Sequence, residues 1–231
     1  MESKVSFFLP TRKGSQRVFK KNTRPFAGIN GGLLQNKLEQ LSNCKNLYEV
    51  ILSTNDEECL EIGSRAQKYF EKLVLDERPE ELCLDSTNLK DLIGYVPSVT
   101  RGEHIMWGHV TTPLATTKDY DDGIEKYLSA LKVGYDSLIS VCEFRNFLLN
   151  SQGNIINNNT KLPWPRTQDL EMLYEVNHVM FIASNDVYIN TQNRVGDKPF
   201  LYTMEKINSL DVDWEEDFRI AEILYETIRE I

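Results

Sequence analysis

Apolar runs of four to six residues alternate along this chain with stretches whose apolar positions recur every three or four residues. Val5 to Leu9 is a continuous apolar run that breaks at Pro10, and it reads as a buried first strand. Leu34, Leu38 and Leu41 repeat at helical spacing after the punctuating pair Gly31-Gly32. Glu49 to Ser53 reads as a second buried strand, after which Thr54, Asn55 or Asp56 caps a helix carrying Ile62, Ala66 and Phe70 on one face. Lys72 to Leu75 is a third strand, and Ser86 is the expected cap of a helix bearing Leu89, Leu92, Ile93 and Val96. His104 to Val110 is a strand ending at Thr111-Thr112-Pro113. An amphipathic helix turns Tyr120, Ile124, Tyr127, Leu128 and Leu131 inward, and Ser137 to Val141 is the next strand.

The rhythm breaks at Glu143. From about 143 to 175 the chain carries Asn and Gly clusters and the unit Pro163-Trp164-Pro165, and reads as an inserted lid or dimerisation arm. Met180 to Ala183 resumes a strand, and Phe200 to Met204 is an edge-strand candidate. Trp214, Phe218, Ala221, Leu224 and Ile228 outline a last helix. Strands separated by helices predict a Rossmann-like α/β fold, a mostly parallel sheet sandwiched by helices. The length of 231 residues suits a single domain, 1–231, with the insertion inside it. In such sheets ligands sit beyond the carboxyl ends of the strands. The loop after Pro10, Thr54-Asn55-Asp56 and Thr111-Thr112-Pro113 would converge there.

Charge narrows the function. The chain carries a formal net charge of -9, yet no Asp or Glu occurs between Glu2 and Glu39. Within that window lie Arg12, Lys13, Arg17, Lys20 and Lys21 around Gly14-Ser15. A cationic, glycine-containing loop directly after a first strand suits a polyanion such as a triphosphate, the other reading being a solvated basic surface loop. Overall acidity argues against a general nucleic-acid binder, whose backbone contacts need a broad basic face. No apolar run reaches the roughly 18 residues of a membrane span. With no signal-like N-terminus, the expected location is cytoplasmic. Cys44, Cys59, Cys83 and Cys142 form no CxxC pair and read as buried free thiols, and His104, His109 and His178 have no metal-ligand spacing.

Two further constellations bear on chemistry. Asp211 and Asp213 flank Val212, and in an extended segment residues two apart project to the same side. Two carboxylates plus substrate phosphates is the usual way a protein holds magnesium. The competing reading, acidic residues favoured by a helix N-terminus, accounts for Glu215, Glu216 and Asp217 better than for this pair. Arg78 and Arg166 each adjoin a proline, and a fixed guanidinium suits bidentate phosphate or carboxylate binding, although a lone loop Arg is commonly just solvated. No Walker loop, no GxGxxG and no serine–histidine–acid order is present.

Taken in order, Pro10-x-Arg12-x-Gly14-Ser15-x-Arg17, Lys21-Asn22, Ser53-Thr54-Asn55-Asp56, Arg78-Pro79, Asp85-Ser86, Thr111-Thr112-Pro113-Leu114 and Asp211-Val212-Asp213…Glu216-Asp217…Ala221-Glu222 resemble the motifs of the acylneuraminate (CMP-sialic acid) cytidylyltransferases. Kdo cytidylyltransferases open similarly, with Lys-Pro where this chain has Lys21-Asn22. The resemblance implies a nucleotide-diphospho-sugar-transferase-type fold and a nucleotidyltransferase activity, moving CMP from CTP to a sialic-acid-like nonulosonic acid with release of pyrophosphate. It implies that Arg12, Gly14, Ser15, Lys21 and Asn22 hold the triphosphate and that Arg78 and Ser86 grip the nucleotide. Asp211 and Asp213 would hold Mg²⁺, with Arg12, Lys21 and Asp211 catalytic. His109, Arg166 and Asn177 would contact the sugar, and the arm would make a homodimer.

The chain departs from the family pattern on the acceptor side. His109-Val110 stands for Gln-Pro, Ala115 for the Arg after Pro-Leu, and Asn177-His178 for a common Asn-Gly. A nucleotidyltransferase for another sugar or small anionic acceptor, and a nucleotide-binding homologue without catalysis, are the alternatives.

Overall fold

The computed structural model describes residues 3–14 and 16–229. Seven strands form one sheet: β1 (Val5–Pro10), β2 (Glu49–Thr54), β3 (Leu73–Glu77), β4 (His104–Trp107), β5 (Ser137–Phe144), β6 (Leu173–Ser184) and β7 (Pro199–Thr203). Their order is β3-β2-β1-β4-β6-β5-β7, and only β6 runs against its neighbours. The mostly parallel helix-covered sheet expected from the sequence is what forms, with β7 at an edge.

β1 and β2 are buried along their length because both sheet faces are covered. The period of two sends Phe7 into a core shared with α1 (Gly32–Ser42), α2 (Glu57–Ala66), α4 (Thr117–Leu131) and α6 (Glu215–Arg229). Phe8 points the other way, into a core with α3 (Leu89–Val99) and α5 (Asn185–Thr191). Each ring meets an aromatic partner edge-on, Phe7 with Tyr120 at 5.4 Å and Phe8 with Trp107 at 4.9 Å. Such a pair adds about 0.5–1.5 kcal/mol beyond area burial.

Of the local expectations, one of the three candidate caps of α2 holds and several others change. Asp56 caps α2, its side chain accepting from the Glu58 amide. Asn88, not Ser86, caps α3, and Ser86 is exposed. The fourth strand stops at Trp107, short of Val110. α6 buries Phe218 and Ala221, but Tyr225 takes the inward place expected for Ile228, which is 50% exposed, and Trp214 is 56% exposed. α5 has too few apolar repeats to be visible by periodicity. Pairing of Glu143 with Tyr174 and of Phe144 with Leu173 carries the sheet into both ends of the expected arm, so the excursion spans 145–172. All four cysteines are free and buried. No helix among the described residues is long and apolar enough to cross a membrane.

Candidate active site

A cleft of about 690 Å³ opens at the carboxyl ends of β1 and β4, within the size range of small-molecule sites. One wall is the loop between β1 and α1, which contributes Arg12, Gln16, Arg17, Lys21 and Asn22. The loop is built from below. The Thr11 amide donates to the Ser53 carbonyl at 3.0 Å. The buried Arg78 guanidinium donates to the Thr11 carbonyl at 2.6 Å, to the Ser53 carbonyl at 3.4 Å and to Cys83 Sγ at 3.1 Å. Arg78 therefore lines the cleft with its donors committed to backbone, and it braces the loop. Gly14 has φ +84°, a left-handed conformation that glycine adopts without steric cost. Ser15 lies outside the described residues.

The loop cations face carboxylates from the rest of the chain. Arg12 pairs with Asp85 and donates to the Cys83 carbonyl at 3.1 Å; Arg17 pairs with Asp213 at 2.7 Å. Lys20 pairs with Glu58 at 2.9 Å and Arg24 with Glu215 at 3.1 Å. Exposed pairs of this kind are worth about 0–1 kcal/mol, so an incoming phosphate can take over the guanidinium groups of Arg12 and Arg17 at little cost. Asn22 is buried, its amide 3.4 Å from the Arg12 carbonyl, while its own carbonyl accepts from the Leu34 amide at 2.9 Å.

The acidic segment before α6 forms the far side of the loop. The Val212 amide donates to the Thr111 carbonyl at 2.8 Å, which ties the segment to the loop after β4. The Asp217 carboxylate accepts from the amides of Asp213 and Trp214 at 3.0 and 2.8 Å and so caps the helix start. Val212 is buried, and Asp211 and Asp213 flank it. Lys21 Nζ donates to the Val212 carbonyl at 3.0 Å and stands 4.0 Å from Asp213. Burial pushes the Asp211 carboxyl up, against the opposing pulls of Thr111 and His178, and burial lowers Lys21 against the pull of Asp213. Asp211 Oδ1 is buried without a hydrogen-bond partner. Among the described residues no cluster of three or more His, Cys, Asp or Glu could hold a metal unaided. A buried, unpartnered oxygen beside a second carboxylate is the donor set that suits a cation completing its shell on phosphate oxygens.

The residues expected to meet the sugar divide. His109 lines the cleft; its Nε2 is sealed from water with no partner, and burial, aided by Arg194 and His178, lowers it to about 3. Asn177 is buried behind the cleft. Its Oδ1 accepts from Ser140 Oγ at 2.6 Å and from the Val179 amide at 3.2 Å. These bonds hold a bulge in β6: Ile139 pairs with Phe181, yet Val141 pairs with Val176. The bulge turns His178 to φ +59° and puts it on the cleft lining. Arg166 sits on the exposed arm, bonded to Asp169 at 2.8 and 3.0 Å, and does not line the cleft. Ser86 does not line it either, although Asp85 and Thr87 do. Sequence reading passed over Trp107, His178 and Arg194. Only the Asn177-His178 departure signalled one of them.

The strand order and the covering helices are those of the nucleotide-diphospho-sugar-transferase fold. A structure of a CMP:2-keto-3-deoxy-manno-octonic acid synthetase with CTP matches 99% of this chain and 100% of its own, with TM-score 0.66 at 14% identity. A 4-diphosphocytidyl-2C-methyl-D-erythritol synthase from Anaerococcus prevotii matches with TM-score 0.65 at 12% identity, covering 98% of this chain and 100% of its own. No family model matches the sequence. Curated relatives support the acylneuraminate cytidylyltransferase family. The chain is 26% identical to an N-acylneuraminate cytidylyltransferase of Escherichia coli over 96% of its own length and 52% of the relative's, so it spans about half of that protein. It is 24% identical to a pseudaminic acid cytidylyltransferase of Campylobacter jejuni over 96% of both.

Proposed function

We propose that this protein is a cytidylyltransferase that moves CMP from CTP to a sialic-acid-like nonulosonic acid and releases pyrophosphate. The observation that carries the reading is the closure of the basic loop on the paired carboxylates, Lys21 on the Val212 carbonyl at 3.0 Å and Arg17 on Asp213 at 2.7 Å. On this reading one site offers cations to a triphosphate and two acids to a metal ion. The named functions of the curated relatives support it.

On this reading the anomeric hydroxyl of the sugar attacks the α-phosphorus of CTP. A new O–P bond forms, the bond to the β-phosphate bridge breaks, and pyrophosphate departs with its electron pair. Such a transfer needs positioning and charge stabilisation more than a covalent nucleophile. Arg12, Arg17 and Lys21 neutralise the phosphates, helped by the backbone around Gly14 and by Asn22. Asp211 orients the attacking hydroxyl and accepts its proton. Asp211 and Asp213 are the groups that would hold Mg²⁺, which would supply positive charge to the phosphates.

The arm supports a homodimer. Leu149, Ile156, Leu162 and Trp164 are 53–72% exposed on it, a large apolar surface for one short segment.

Pyrophosphate release from CTP, UTP, GTP and ATP, measured against a panel of nonulosonic acids, Kdo and sugar phosphates with and without Mg²⁺, tests the proposal. CTP-specific, Mg²⁺-dependent release with a nonulosonic acid is expected. CTP binding with no turnover on any acceptor would instead mark a nucleotide-binding homologue.

A further inference from the structure

Among the described residues Arg194 is a cation without an anion. It follows α5 and lines the cleft, with its guanidinium carbon 3.8 Å from the ring centre of Phe181 and 4.9 Å from that of Trp107. Among the described residues it forms no ion pair, and its guanidinium makes no hydrogen bond. Arg12 and Arg17, by contrast, each hold a carboxylate. Its partial burial lowers the affinity of Arg194 for its proton, as expected of a charge that has lost some water and gained no anion.

Two further ring nitrogens stand beside it, the second a donor when it carries the imidazole proton. Trp107 Nε1, which can only donate, is buried without a partner, and so is His109 Nε2; the two rings lie 6.3 Å apart. A guanidinium stacked on aromatic faces keeps its N–H groups in the plane of the stack, free to meet a planar acceptor in the two-point manner.

We propose that Arg194, with Trp107 and His109, forms the subsite that receives the carboxylate of the acceptor sugar acid. The proposal rests on the sugar-acid reading above and assigns it a residue. A monoanion fits better than a phosphate, because the subsite has one guanidinium, a neutral indole and an imidazole that burial keeps neutral. The polyphosphate cations lie instead on the β1–α1 loop.

The test compares wild type, Arg194→Gln and Arg194→Lys in CTP-dependent pyrophosphate release with N-acetylneuraminate and pseudaminate, each as the free acid and as its carboxamide. Wild type is expected to prefer the acid. In Arg194→Gln the KM for the acid should rise at least 10-fold, the KM for CTP should stay within twofold, and the preference for acid over amide should vanish. Arg194→Lys should recover part of it. An acid KM within twofold of wild type, or a rise confined to CTP, overturns the assignment while leaving the cytidylyltransferase reading intact. If wild type turns over no acid, that reading fails separately. Calorimetric binding of N-acetylneuraminate to wild type and Arg194→Gln then decides the subsite, and absent or equal binding overturns it.

Discussion

Lys21 donates a hydrogen bond at 3.0 Å to the carbonyl of Val212, a residue 191 positions away in the chain. This contact closes the basic loop on the acidic segment and leaves Asp211 and Asp213 on either side of the ammonium's anchor. Replacing Lys21 by Ala, or Asp211 by Asn, should lower turnover at least 100-fold, the scale on which loss of one charge-stabilising group is felt. Steady-state pyrophosphate release checks it. Rates within fivefold of wild type in both variants would remove these residues from the chemistry.

The sealed His109 ring makes stability depend on acidity. Its folded pKa of about 3 lies below the ordinary value of 6.5, so the unfolded chain binds the proton more readily. Its stabilising contribution is therefore complete above pH 6.5 and is lost as pH falls towards 3. The loss approaches about 1.4 kcal/mol per pH unit, or about 2 kcal/mol at pH 5. Urea unfolding of wild type and His109→Gln between pH 7.5 and 5 should show the wild type losing more, by that margin. Parallel curves would refute it.

His178 carries a left-handed backbone at φ +59° that a side chain resists by roughly 1–2 kcal/mol. Comparing His178→Gly with His178→Ala removes the ring from both and isolates the backbone. The glycine variant should be the more stable by about 1 kcal/mol in denaturant unfolding. Equal stability would mean that the bulge relaxes.

Trp164 is 72% exposed, stacked obliquely on Phe147 at 5.4 Å. If the arm joins two copies, Trp164→Ser should shift the protein towards monomer in light scattering across micromolar concentrations. A wild type that is monomeric at 100 μM would dispose of the homodimer.

Arg78 is expected to act on the loop rather than on the nucleotide directly. Arg78→Met leaves the Thr11 and Ser53 carbonyls without their charged donor, which should cost about 1.5–3 kcal/mol of stability. Loss of CTP affinity with unchanged stability would reverse that assignment and make Arg78 a nucleotide ligand.

Much of this protein was readable from its one-dimensional pattern, for a physical reason. A strand buried on both faces must be continuously apolar, as in β1 and β2, and a helix on a sheet must repeat its apolar face, as in α1 and α4. The basic loop and the pair around Val212 were equally visible, because charge of one sign in an otherwise opposite chain is a local property. Tertiary structure alone decided that Arg78 turns its donors to backbone carbonyls, and that Asn88 rather than Ser86 caps α3. It also decided that Asn177 holds a bulge so that His178 can face the cleft. Arg194 shows the limit most plainly. In sequence it is one cation among polar residues; only folding lays it against Phe181 and Trp107, buries it in part and leaves it, among the described residues, with no anion of its own.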